Sequence, residues 1–156
     1  MNKIKKKGSK TWFFPPYLVA LSLFTSFIFE NFILSQSIFK GDYLPFILGL
    51  VLMTLSVMLF MYSFVLFKNN SKNPHPRCQT TQLFFGGPFK YTRNPIYLSF
   101  LGMVFGCGIC FNSFWYLIFD FILIALLHFG IILHEEKYLE KEFDKVYLEY
   151  KNSVRR

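Results

Sequence analysis

Residues 94–136 read NPIYLSFLGMVFGCGICFNSFWYLIFDFILIALLHFGIILHEE. Two apolar runs, 95–111 and 114–133, are separated only by Asn112-Ser113, and the pair is bracketed by Asn94 before it and His134-Glu135-Glu136 after it. Runs of this length that carry almost no charge are membrane spans. A two-residue polar break between them folds the pair into an antiparallel hairpin. Both of its polar ends then lie at the same mouth.

The same reading extends toward the N-terminus. An apolar run covers 15–39, the polar turn Lys40-Gly41-Asp42 follows, and a second run covers 43–67. The sequence therefore predicts an all-α, polytopic membrane protein with four transmembrane helices. Residues 1–156 form a single membrane domain. It comprises a basic segment (1–14), the first two spans within 15–67, a polar stretch (68–94), the hairpin (95–133) and a charged helical tail (134–156). Composition agrees: 53% of residues are hydrophobic and 21% aromatic. The run 15–39 is too long for the core of a cleavable signal peptide and lacks small residues at a cleavage site, so it reads as a retained anchor.

Charge sets the expected orientation. The N-terminal segment carries Lys3, Lys5, Lys6, Lys7 and Lys10, and the 68–94 stretch carries Lys68, Lys72, Arg77, Lys90 and Arg93. The tail carries Lys137, Lys141, Lys145, Lys151, Arg155 and Arg156, leaving only Lys40 for the other side. Positive residues accumulate on the cytoplasmic side, so both termini are expected there, in a bacterial inner membrane. The net charge of +8 is accounted for by this topology and by anionic lipid; nucleic acid is not needed as a partner. The lipid bilayer is the expected partner, and oligomeric state cannot be read.

The tail is patterned as a helix. Leu139, Phe143, Val146, Tyr147, Tyr150 and Val154 recur at three- and four-residue steps, and Lys137–Glu140 and Glu142–Lys145 are spaced for ion pairs. With no Gly or Pro between Phe114 and Val154, the fourth span is expected to continue into the tail as one helix. Its aromatic stripe would lie on the membrane surface or on the 68–94 stretch.

Chemistry concentrates at the hairpin mouth. Asn94-Pro95 is a helix-start signal, Asn as cap and Pro at the first helical position. Free amides at that start, beside Arg93, make an anion site. Glu135 and Glu136 are adjacent carboxylates where the chain leaves the bilayer, a costly placement without cations or a wet cavity. An anion-binding helix start facing paired carboxylates suits a zwitterionic ligand. Elsewhere, Cys107 and Cys110 form a C-x-x-C inside an apolar run and read as packing rather than redox residues, with Cys78 left outside any pair. Glu30 and Asp120 would lie at similar depth, sharing a proton or bonding neighbouring helices. His128 reads as an interhelical contact, and Gly102 and Gly106 as a face permitting close helix approach.

The run Gly87-Pro88-Phe89-Lys90-Tyr91-Thr92-Arg93-Asn94-Pro95-Ile96-Tyr97, then the hairpin, then E-E-K-Y-L-E-K-E-F-D-K-V-Y-L-E-Y from Glu135, resembles the isoprenylcysteine carboxyl methyltransferase and phospholipid methyltransferase superfamily. Its pattern is roughly G-P-Y-R-Y-x-R-[H/N]-P-x-Y followed by E-E-x-x-L-x-x-x-F-G-x-x-Y-x-x-Y at this spacing, and the resemblance covers about residues 80–154.

The resemblance implies S-adenosyl-L-methionine enclosed at the cytoplasmic ends of these helices and a lipophilic methyl acceptor, carboxylate or amine. It places cofactor contacts on Thr81, Gln82, Leu83, Phe84, Phe89, Asn94, Pro95, Ile96, Tyr97 and Glu135. Arg93, Glu135 and Glu136 are its catalytic or supporting candidates, with Arg93 and Glu136 as mutual partners. No metal is expected, because the sulfonium is already an activated electrophile. The chain departs from the pattern in four places. Ile131 stands where members acting on prenylated cysteine carry Arg, which puts a prenylcysteine acceptor in doubt. Asp144 and Ser99 stand where Gly is usual, and Thr81 where His is found. Two other readings compete: a nicotinamide-dependent membrane reductase of related architecture, and a non-enzymatic membrane subunit. A di-iron oxidase is excluded by histidine count, since only His75, His128 and His134 are present.

Overall fold

The computed structural model describes residues 14–35, 37–41, 43–70 and 83–155. These residues form helices and turns with no strand beyond the isolated bridge Ser37–Ser113. In chain order they are α1 (Pro15–Ile28) with a π-turn (Phe29–Ile33), α2 (Leu44–Asn70), a 3₁₀ turn (Gly87–Lys90), α3 (Pro95–Cys110), α4 (Phe114–Leu127) with a π-turn (His128–Ile132), and α5 (Leu133–Ser153).

Three helical runs are long and apolar enough to cross a membrane: Pro15–Ile33, Leu44–Asn70 and Phe114–Ser153. α3 is a shorter apolar helix of 16 residues, about 24 Å at 1.5 Å per residue, against a hydrocarbon core of ~30 Å. Length and composition therefore support three of the four expected spans outright. The protein is an integral membrane protein.

The first span is also shorter than its apolar run. Helix ends at Ile33 rather than at residue 39, because the following segment is tied to the hairpin turn. Asn112, in the left-handed region at φ +52, accepts from the amides of Ile38 (2.9 Å) and Phe39 (2.7 Å) through Oδ1 and donates to Phe39 O through Nδ2 (2.7 Å). The Ser113 hydroxyl donates to Glu30 Oε2 (2.5 Å), the Ser35 hydroxyl to Glu30 Oε1 (2.6 Å), and the Trp115 indole to Leu34 O (2.5 Å). Glu30 thus bonds neighbouring elements, and no bond joins it to Asp120. Asp120 is buried on α4 with Oδ1 lacking a partner. His128 contacts the ring of its neighbour Phe129 edge-on.

α2 and α3 share the most extensive helix interface, and glycine makes it possible. A Cβ on Gly49 would lie 2.4 Å from the Cys110 amide nitrogen, one on Gly106 2.7 Å from Met53 Cγ, and one on Gly102 2.3 Å from Ser56 Oγ. The expected close-contact face of Gly102 and Gly106 is there, matched by Gly49 and Ser56 opposite. Cys107 and Cys110 are free thiols, with Cys107 buried and its Sγ 3.9 Å from Met53 Sδ.

The apolar core joins α1, α3 and the α4 run: Leu18, Val19, Val104, Leu123, Leu127 and Ile131, with Tyr97, Phe100, Leu101 and Ile132 packed against it. Ile131, the residue in place of the family Arg, is fully buried there.

The fourth span continues as helix into the tail as expected, passing through a π-turn at His128–Ile132, but Asp144 breaks α5 with φ 43 and ψ −120. The break shifts the phase of the apolar stripe. Tyr147 is buried, whereas Val146 is exposed. Glu140 pairs with Lys151, eleven residues on, so the segment after Asp144 turns back along the one before it.

Candidate functional site

Pro95 fixes the first turn of α3, with Asn94 as its N-cap residue. The expected side-chain cap is not made. The Asn94 backbone sits at φ −129, ψ 54, and its carbonyl accepts the first helical bond from Leu98 N (3.0 Å). Its side-chain Nδ2 is buried with no partner, and the amides of Ile96 and Tyr97, in the first turn, have no intrahelical acceptor. The helix start therefore has donors to spare, of the kind that an anion satisfies at other helix N-termini.

The hairpin brings α5 to that point. The Tyr97 hydroxyl lies 2.9 Å from both carboxylate oxygens of Glu135. One turn before Tyr97, Arg93 Nη1 lies 3.1 Å from Glu136 Oε1, and both side chains are more than nine-tenths buried. Arg93 Nε has no hydrogen-bond partner. The two motifs, 38 residues apart in sequence, are thus joined by two direct side-chain contacts. Tyr97 has its ring in the apolar core, so its hydroxyl is a fixed donor. Burial pushes the Glu135 carboxyl up to about 7 from its ordinary value, against the opposing pull of the Tyr97 hydrogen bond. A carboxyl held there gains most from a cationic partner.

The loop before α3 supplies aromatic surface. Gly86 leaves room for the Phe84 ring, which a Cβ there would meet at 2.3 Å, and Phe84 stands edge-on to Phe89 with centroids 5.9 Å apart. The returning half of α5 closes over this loop. Tyr150 donates to Phe89 O (2.7 Å) and packs on Phe85 (4.5 Å between centroids), and Arg155 O accepts from the Arg93 amide (3.0 Å). Tyr147 is buried; desolvation and the Glu136 charge push its hydroxyl up to about 12, opposed by Arg93.

Of the predicted residues, Arg93, Tyr97, Glu135 and Glu136 are in direct contact, and Asn94, Pro95 and Ile96 form the helix start beside them. Leu83, Phe84 and Phe89 line the loop that α5 covers. Thr81 and Gln82 lie outside the described residues. The aromatic stripe expected on the membrane surface or the 68–94 stretch meets that stretch through Tyr150, which bonds Phe89 O and packs on Phe85. Sequence reasoning missed Phe85 itself, the Arg155 carbonyl and the break at Asp144.

The hairpin mouth thus carries two buried donors without hydrogen-bond partners, Asn94 Nδ2 and Arg93 Nε, together with the buried Glu135 carboxylate. Residues 44–146 match the family described as phospholipid methyltransferase, 103 of the 156 residues in the chain. No curated protein and no solved structure gives a significant match.

Proposed function

Because the chain belongs to the phospholipid methyltransferase family, we propose that it transfers a methyl group from S-adenosyl-L-methionine to a lipophilic acceptor at the cytoplasmic face of a bacterial inner membrane. Methyl transfer to a membrane lipid-like substrate is the activity the family implies. The cofactor, the side of the membrane and the roles of individual residues are the proposal's own.

The observation that carries the reading is the joined pair of contacts, Tyr97 to Glu135 and Arg93 to Glu136, beside an uncapped helix start. In this reading four helices cross the membrane, with α3 the short member. The bound sulfonium supplies an electrophilic methyl group, so no Lewis acid or covalent intermediate is required of the protein. The amides of Ile96 and Tyr97 and the Asn94 side chain hold the carboxylate end of the cofactor. Glu135 holds its ammonium or ribose hydroxyls, oriented by Tyr97. Phe84 and Phe89 pack against the base. Arg93 and Glu136 position rather than react: their ion pair fixes the angle between the start of α3 and α5. The returning half of α5, tied through Tyr150 and Arg155, keeps water out. Alignment and water exclusion are the protein's contribution to rate.

The test incubates membranes containing the protein with S-adenosyl-L-methionine labelled in its methyl group, then separates lipid from protein. Label entering a lipid fraction with wild type and not with Glu135→Ala supports the reading. Equal labelling with the two proteins overturns it.

A further inference from the structure

α2 buries three small residues spaced seven apart, Gly49, Ser56 and Ser63. The first two fix its register against α3. A Cβ on Gly49 would stand 2.4 Å from the Cys110 amide nitrogen, and one on Gly102 2.3 Å from Ser56 Oγ. Seven residues forward along α2 thus correspond to eight back along α3. The same step from Ser56 brings Ser63 level with Asn94-Pro95. Two further contacts bracket that level. On one side the rings of Phe60 and Phe100 have centroids 5.3 Å apart, and on the other a Cβ on Gly87 would stand 2.5 Å from Leu66 Cδ1. Ser63 therefore lies where α3 begins, on an element outside the motifs around Asn94 and Glu135.

We propose that Ser63 is a ligand-binding residue whose hydroxyl donates to the carboxylate of an amino-acid ligand held at the start of α3. Ser63 is wholly buried, and its Oγ has no hydrogen-bond partner. A helical hydroxyl commonly bonds the carbonyl one turn earlier, as Thr54 of the same helix does with Leu50 O (2.8 Å). Ser63 makes no such bond. On the facing helix, Ser99 is committed to Ile96 O (2.6 Å). Asn94 Nδ2 is also buried without a partner. Buried polar groups are nearly always hydrogen-bonded, so two unbonded donors at one level point to a ligand.

The backbone explains why α2 is needed. Pro95 has no N–H, so the first turn of α3 presents one donor fewer than an ordinary helix start. A hydroxyl from α2 at that level makes up the number. Together with Asn94 Nδ2 and the free amides of Ile96 and Tyr97 it forms an all-donor set, which suits the paired oxygens of a carboxylate. Full burial of Ser63 selects a small ligand enclosed by the protein over a lipid headgroup reached from the bilayer. The ligand's identity as S-adenosyl-L-methionine rests on the methyl-transfer reading. Within it, Ser63 extends the carboxylate site from α3 onto α2.

Equilibrium dialysis of the detergent-purified chain tests the assignment, using S-adenosyl-L-methionine and its decarboxylated analogue, which lacks only the carboxylate. Wild type and Ser63→Ala are compared. The substitution should weaken S-adenosyl-L-methionine about ten- to a hundredfold, the scale of one hydrogen bond to a charged group, and leave the analogue unchanged. The thermal midpoint of the ligand-free protein should not fall in Ser63→Ala, because no hydrogen bond within the protein is lost. Equal weakening of both ligands, unchanged binding of S-adenosyl-L-methionine, or a lower ligand-free midpoint each overturns the role of Ser63 and leaves the methyl-transfer reading standing. Wild type that binds neither ligand overturns that reading, and this assignment with it.

Discussion

Arg93 and Glu136 hold the two halves of the site together, and the strength of that tie can be worked from its geometry. The separation is 3.1 Å and both side chains are more than nine-tenths buried. At an effective dielectric constant of about 20, unit charges at that distance attract by about 5 kcal/mol, and desolvation offsets much of it. Removing one partner leaves the other charge buried, which typically costs about 3–5 kcal/mol, whereas an apolar pair of similar volume restores most of that loss. The expected order of stability is wild type close to Arg93→Met/Glu136→Leu, with each single substitution well below both. A coupling energy of roughly 2 kcal/mol or more should emerge from the double-mutant cycle. Equilibrium unfolding in mixed micelles, followed by circular dichroism, reads it. Single substitutions costing under ~1 kcal/mol, the range of solvent-screened surface pairs, would refute the claim that this pair fastens α3 to α5.

Asp144, a non-glycine residue at φ 43 and ψ −120, occupies a sparsely populated region costing on the order of 1–3 kcal/mol. Asp144→Gly should therefore raise the midpoint of thermal unfolding by about 2–12 °C, while Asp144→Ala should not. Gly49→Leu should separate α2 from α3, since a Cβ alone meets the Cys110 backbone at 2.4 Å. Protease sensitivity of detergent-purified protein is the readout. The Glu135 carboxyl, raised to about 7, destabilises the ligand-free protein as pH climbs from its ordinary value through 7, because ionisation is then forced on a buried group. A cationic ligand reverses that penalty, so cofactor affinity should rise about tenfold from pH 6 to pH 8, following the ionised fraction. Tyr97→Phe, which removes the hydrogen bond that lowers this pKa, should move the rise to higher pH.

The hairpin was legible because its signals are local and redundant. Two apolar runs, a two-residue polar break and polar residues at each end leave few alternatives. The pairing at its mouth followed, since a two-residue turn forces Asn94 and Glu135 to one end. What escaped the sequence was conformational. The apolar run 15–39 outlasts its helix because Asn112, far along the chain, captures the amides of Ile38 and Phe39. Hydropathy carries no sign of that bond. The break at Asp144 was hidden because Asp ranks as an ordinary helix residue, and only the family's preference for Gly at that position hinted at a left-handed backbone. The Asn94 cap was expected from residue type, yet its side chain bonds no backbone amide. In the proposed reading that departure is what leaves the helix start open to a ligand.

Equilibrium binding of labelled S-adenosyl-L-methionine to the detergent-purified chain tests the central claim most directly. The account predicts saturable binding of one cofactor per chain, abolished in Glu135→Ala and sharply weakened when Asn94 is changed to Leu. No saturable binding by wild type, in protein whose helical content is intact, would contradict it.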